Sequence, residues 1–248
     1  MTTPAAQLGY YHGAERLRYG GNWAATGLST TVLGTLGIMI SIVAPHSAVA
    51  QALGRLHART VLWISGIVVE TVGGENLDCT ADHVFVADHQ SALDLPALLA
   101  ALPVPLRGLA PASLFRVPLL GWYLRRVGYA PLGVASDDSL AEVSRHQQRT
   151  GKSMSTVILA DAPRASEAEL ARLRNATVEL ARRARLALVP VALVDSGLLM
   201  PSDRRFADPG SLQVRIGAAI DPNTEASVEH VAAAVCDALA ELRMATAR

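Results

Sequence analysis

Lysine is almost missing from this chain: Lys152 is the only one, so the basic charge rests on arginine. Neither sign is in excess, since 22 basic residues face 22 acidic ones, and no global field draws the protein to nucleic acid. Cysteine is equally scarce. Cys79 and Cys236 stand far apart, and none of the seven histidines pairs with a cysteine or carboxylate at a zinc-type spacing, so no metal is expected. Two thiols fit a reducing compartment. The chain also lacks the G-x-S-x-G elbow of a serine hydrolase. Gly151-Lys152-Ser153-Met154-Ser155 comes closest and has no final glycine. There is no G-x-G-x-x-G and no phosphate loop, which argues against a nucleotide-binding enzyme. No internal repeat or long linker divides the chain, and 248 residues suffice for one large α/β domain.

One absence is local. From Trp23 to Pro45 no residue is charged, a run of 23 positions against the ~20 a helix needs to cross a bilayer. It begins too late and runs too long for a signal peptide. Its centre is rich in glycine, serine and threonine (Gly27, Ser29, Thr30, Thr31, Gly34, Thr35, Gly37), so it is only moderately apolar. Pro45 and His46 break it, and a second helical pattern from Ala48 to Ser65 carries Arg55, His57 and Arg59. This reads as an N-terminal apolar helix pair, residues 1–66, with apolar faces in lipid and arginines at the headgroups. A buried helix pair of a soluble protein is the alternative. Membrane association on the cytoplasmic face is expected.

Residues 67–248 alternate strand and helix signals. Ile67–Val72, His83–Ala87, Thr156–Leu159, Leu186–Val194 and Leu212–Ile220 are β-branched or continuous apolar runs that read as strands, and Arg107–Ala110 reads as a further short one. Helical patterns cover 95–102, Asp138–Gln148, Glu167–Arg185 and Ser227–Met244. The expected fold is α/β: a mixed, partly parallel sheet flanked by helices.

Chemistry concentrates after the second strand, at Asp88-His89-Gln90-Ser91-Ala92-Leu93-Asp94. A histidine acts as a base when a partner fixes which ring nitrogen carries the proton, and a carboxylate supplies that. On a continuous helix His89 and Asp94 would point to different faces, whereas a turn between strand and helix brings them together. Asp94, with Pro96 two residues on, resembles an N-cap. The plain alternative is a loop histidine beside a helix-capping aspartate.

His89 and Asp94 match the HxxxxD motif of the glycerolipid acyltransferases, which the chain resembles, in particular bacterial 1-acylglycerol-3-phosphate acyltransferases. Asp88 stands where asparagine is usual. Gly73-Gly74-Glu75-Asn76-Leu77 resembles the lead-in before that motif. Leu114-Phe115-Arg116-Val117-Pro118-Leu119-Leu120-Gly121-Trp122, with Leu124-Arg125 and Gly128, is similar to the second block, and Val189-Pro190-Val191-Ala192-Leu193 to the fourth. In place of F-P-E-G-T-R the chain has Leu159-Ala160-Asp161-Ala162-Pro163-Arg164. Pro111 and Ala112 stand where a lysine is usual, and Val134 where an arginine often follows the second block.

The resemblance implies an enzyme that moves a fatty acyl group from acyl-CoA or acyl carrier protein to a lysophospholipid hydroxyl, foremost 1-acylglycerol-3-phosphate, with no bound cofactor. It assigns catalysis to His89 and Asp94 and substrate binding to Arg164, Asp161, Arg116 and Ser91, Arg164 as a phosphate clamp. Membrane lipid is a further expected partner and nucleic acid is not. Because the departures fall on groups the family uses for phosphate, a non-phosphatidate acceptor or a catalytically weakened lipid-binding member stands as the alternative.

Overall fold

The computed structural model describes residues 21, 24–37, 39–40, 43–44, 48–111, 114–116, 122, 129–132, 155–161, 166–201, 204 and 207–245. The helix expected over 138–148 and Arg164 lie outside them. Among the described residues seven strands form one sheet: β1 (Ile67–Val72), β2 (His83–Asp88), β3 (Leu106–Pro111), β4 (Ala130–Leu132), β5 (Ser155–Asp161), β6 (Ala187–Val194) and β7 (Gly210–Ile216). Their order is β1-β7-β6-β2-β5-β3-β4. The sheet is mixed, as expected. Every neighbouring pair is parallel except β6 with β7. It follows that β1 and β7 run against the other five strands. The last strand is shorter than its apolar run, ending at Ile216, and Ile220 returns as a single antiparallel bridge to Leu188.

All six residues of β2 are buried, which is why this run shows no polar alternation. Side chains of a strand still alternate between faces. Phe85 and Ala87 join the core beneath α2 (Ala48–Ile64) and α3 (Asp94–Ala101), with Leu98, Leu102, Val189 and Leu212. Val84 and Val86 join the core beneath α4 (Glu167–Ala184) and, after the short α5 (Ser196–Leu199), α6 (Val228–Met244), with Ile158, Val178, Leu188 and Val231. Each large aliphatic side chain fully buried there contributes about 1.5–3 kcal/mol.

The helices start where their caps put them. Ser166 Oγ accepts from Glu169 N at 3.3 Å while Glu169 Oε2 accepts from Ser166 N at 2.8 Å, a capping box that opens α4. Ser227 Oγ accepts from His230 N at 3.2 Å and opens α6. The end of α6 is held by Arg215 of β7, a buried guanidinium that donates to the carbonyls of Leu242 at 2.8 Å and of Ala245.

The N-terminal helix pair consists of α1, helical over 24–37, and α2. His57 of α2 meets Ser29 and Thr30 of α1, each hydroxyl 3.5 Å from a ring nitrogen. Burial between the helices lowers the pKa of His57. Arg55 and Arg59, expected at lipid headgroups, also reach carbonyls at and just beyond the end of α3. Arg55 Nη2 donates to Pro103 O at 3.0 Å and Arg59 Nη2 to Ala100 O at 3.4 Å. The last carbonyls of α3 have no partner within their helix and carry its negative dipole end, so cations from a neighbouring helix settle there.

Candidate active site

The stretch after β2 turns back on itself within five residues. Asp94 proves to be the first residue of α3, with Leu93 as its N-cap, and not the cap the sequence suggested. From that position its side chain leans back over the preceding turn, as side chains on a helix do. Its Oδ2 accepts from Gln90 N at 2.7 Å and Ser91 N at 2.8 Å, and lies 3.1 Å from His89 Nδ1. The carboxylate is fully buried, whereas the histidine side chain is 38 % exposed. One oxygen thus organises the turn and aims the ring. With Nδ1–H donating to Asp94, Nε2 holds the lone pair.

Ser91, assigned to substrate binding by resemblance, is buried, and its hydroxyl is committed to the backbone. It donates to Met200 O at 2.8 Å and accepts from Leu93 N at 3.2 Å, tying the turn to the segment after α5. Asp161 ends β5 with its backbone paired to Asp88, one residue from His89, across a register shift between Ala87 and Asp88. Its side chain, like the whole of Arg164, lies outside what is described. Arg116 is exposed on a turn of 3-10 helix after β3, two places from β2 in the sheet, while its neighbour Phe115 is buried.

Two residues beside the site carry roles the sequence did not suggest. Asp88 is fully buried on the α6 face of the sheet, and its Oδ2 lies 2.5 Å from Nε of Arg243 in the last turn of α6. A separation of 155 residues hides that pairing in the sequence, where Arg243 reads as an ordinary cation at a helix C-terminus. The only signal was aspartate in place of asparagine at position 88. The lead-in is also explained by contact. Gly73 has φ +77°, and a Cβ there would sit 2.2 Å from Ile216 O; Asn76 Nδ2 donates to that same oxygen at 2.8 Å. The segment before β2 is thereby fastened to the end of β7.

A buried carboxylate, an imidazole held in one tautomer and an exposed ring suit a general base acting on a substrate from solution or a surface. No group of three or more potential metal ligands occurs among the described residues. A family model described as Acyltransferase matches residues 68–194. A 1-acyl-sn-glycerol-3-phosphate acyltransferase of Chlamydomonas reinhardtii is 26% identical over 161 residues, 64% of this chain and 48% of that protein. One of Saccharomyces cerevisiae is 26% identical over 155 residues, 61% of this chain and 51% of that protein. The chain therefore spans about half the length of these relatives. The crystal structure of the 1-acyl-sn-glycerophosphate acyltransferase PlsC from Thermotoga maritima aligns with a TM-score of 0.64 at 18% identity, covering 90% of this chain and 98% of that one. That likeness extends to the fold.

Proposed function

Since this chain belongs to the acyltransferase family, we propose that it transfers a fatty acyl group from the thioester of acyl-CoA or acyl carrier protein to the free hydroxyl of 1-acylglycerol-3-phosphate, giving phosphatidic acid. The observation that carries this reading is the 3.1 Å contact between His89 Nδ1 and the buried Asp94 Oδ2. His89 Nε2 takes the hydroxyl proton as the oxygen attacks the thioester carbonyl. Asp94 steadies the resulting imidazolium. The tetrahedral intermediate then collapses, the C–S bond breaks, and the imidazolium returns its proton to the departing thiolate. Base assistance of this kind contributes about a hundredfold to ten-thousandfold. Arg164 is the proposed clamp for the acceptor phosphate, because a guanidinium fork binds two phosphate oxygens at once. Asp161 leaves the sheet beside the base and is proposed to orient that arginine or an acceptor hydroxyl.

Attachment to a lipid surface completes the reading. Leu28, Val32, Leu36, Met39 and Val43 are exposed at helical spacing, and so are Val49, Leu56 and Trp63 on α2. Among the described residues no helix is long and apolar enough to cross a membrane. An in-plane helix pair with its apolar stripes in the headgroup boundary fits both facts.

The test is a radiolabelled acyl-transfer assay with one acyl-CoA and a panel of acceptors. Lysophosphatidic acid is expected to be the best acceptor, and His89→Ala to abolish transfer with circular dichroism unchanged. Full turnover by a well-folded H89A protein would remove the base from the mechanism. A phosphate-free alcohol outperforming lysophosphatidic acid would move the acceptor to another class, in line with the altered stretch from Asp161 to Arg164.

A further inference from the structure

Asp94 grips the turn that carries His89 from α3, and a second grip comes from α5. β6 runs parallel beside β2, so its C-terminal end emerges on the rim where His89 stands. There Asp195 takes φ +72°, a left-handed conformation uncommon outside glycine, and bends the chain out of the sheet. Its carbonyl accepts from Leu198 N at 3.1 Å and Leu199 N at 3.0 Å, which closes α5 as a single turn. Two contacts join this turn to the stretch between His89 and Asp94. Ser91 Oγ donates to the carbonyl of Met200, the C-cap of α5, at 2.8 Å. A Cβ built on Gly197 would lie 3.0 Å from Gln90 Oε1 and 3.3 Å from Gln90 Cβ, so Gln90 rests on bare glycine backbone. We propose that α5 is the buttress of the general base: Met200 through Ser91, and Gly197 through Gln90, fix where the His89 ring stands. Ser91 and Gly197 are then positioning residues, acting through the turn and not by contact with substrate. This assignment rests on the proposed acyl transfer.

The buttress is itself fixed. Leu199 O accepts from Asp208 N at 2.8 Å, and a Cβ on Gly210 would lie 2.5 Å from Leu199 Cδ2, so α5 sits on the first residue of β7. Ser91 suits the role because it is buried, and its hydroxyl also accepts from Leu93 N at 3.2 Å. A hydroxyl has one proton, and here that proton is committed to Met200 O, which leaves no donor for a substrate. The amides of Gln90 and Ser91 hold Asp94 Oδ2, the same oxygen that meets His89 Nδ1. Moving either residue therefore moves the carboxylate relative to the ring. Misplacement of a reacting group by about 1 Å costs about a hundredfold in rate.

Steady-state kinetics with lysophosphatidic acid, and hydrogen exchange over residues 89–94 followed by mass spectrometry, test this on the full-length protein. Ser91→Ala is expected to lower kcat about tenfold with the acceptor KM within about twofold of native, and to speed exchange of the Gln90 and Ser91 amides. Gly197→Ala removes no hydrogen bond and puts a better helix former in α5, so it keeps the test decisive should Ser91→Ala fail to fold. Its methyl displaces Gln90, and the same pair of effects is expected. Gln90→Gly removes both atoms that the methyl meets, so in that background Gly197→Ala is expected to change kcat by less than about twofold. A rise in the acceptor KM at unchanged kcat in Ser91→Ala, native amide exchange in both variants, or a Gly197→Ala loss that persists in the Gln90→Gly background would each overturn the proposal. Amide exchange needs no substrate. A native protein that transfers no acyl group would therefore overturn the acyltransferase reading, while the exchange rates alone still decide whether α5 sets the turn.

Discussion

At the scale of single residues, Asp94 Oδ2 serves three donors at once, the ring of His89 and the amides of Gln90 and Ser91. An asparagine retains the size and an acceptor oxygen for the amides, yet loses the charge that steadies an imidazolium. Asp94→Asn is therefore expected to lower kcat by about a hundredfold or more while the KM for the acceptor changes little, as steady-state kinetics would establish. Asp88 and Arg243 make the second case. Removing the arginine takes away the guanidinium 2.5 Å from a buried carboxylate, and breaking such a pair from one side costs about 3–5 kcal/mol. Arg243→Met is expected to lose that much in urea unfolding, and the double variant D88N/R243M considerably less. Equal losses would show that packing of the arginine stem, and not its charge, holds α6 to the strand. His89 and Asp94 were legible in the sequence because they sit five residues apart at a strand end. Arg243 was not, since an ion pair between distant residues is written only in the folded chain.

At the scale of elements, the described strands and helices announced themselves through apolar runs and caps, and most boundaries moved by a residue or two, while β7 ends at Ile216, four residues short of its apolar run. Asp94 shifted from cap to first helical residue because the orphan amides of Gln90 and Ser91 lie upstream of the helix and draw the carboxylate backwards. The carbonyls that Arg55 and Arg59 reach could not be named from the sequence, which does not reveal that the end of α3 lies beside α2. The lead-in glycine is a sharper test of an element junction. At φ +77° and with Ile216 O in the place of a Cβ, Gly73→Ala has neither the backbone nor the space it needs. Its unfolding midpoint in urea is expected to fall by the equivalent of about 1–3 kcal/mol of backbone strain, with the steric clash added. The helix pair is tested separately. Exchanging Val32 and Trp63 together for glutamate is expected to abolish flotation with anionic vesicles while leaving the far-ultraviolet circular dichroism intact. Undiminished flotation would place the lipid contact elsewhere.

At the scale of the whole molecule, two histidines link stability to pH. Burial lowers the pKa of His57, and it lowers that of His83 against the opposing pull of Asp78 and Asp82. Both have native values below the 6.5 of the unfolded chain, so the unfolded chain takes up protons first as pH falls. Stability is expected to decline from about pH 6.5 downward until the native rings also titrate, and His83→Phe to flatten part of that decline, as urea midpoints at pH 7.5 and 5.5 would reveal. The α/β class and the mixed sheet were legible in the order of strand and helix signals. Strand direction was not, because an antiparallel β6–β7 pair looks like any two apolar runs. That reversal has a consequence for turnover. With β1 inverted relative to β2, the point where α2 hands the chain to the sheet, Gly66 and Ile67, lies on the same rim as His89. A protein seated on vesicles by its helix pair then meets its acceptor by lateral diffusion within the leaflet. Its rate should follow the mole fraction of acceptor among the lipids, and diluting the whole suspension at fixed vesicle composition should leave the rate per bound protein unchanged.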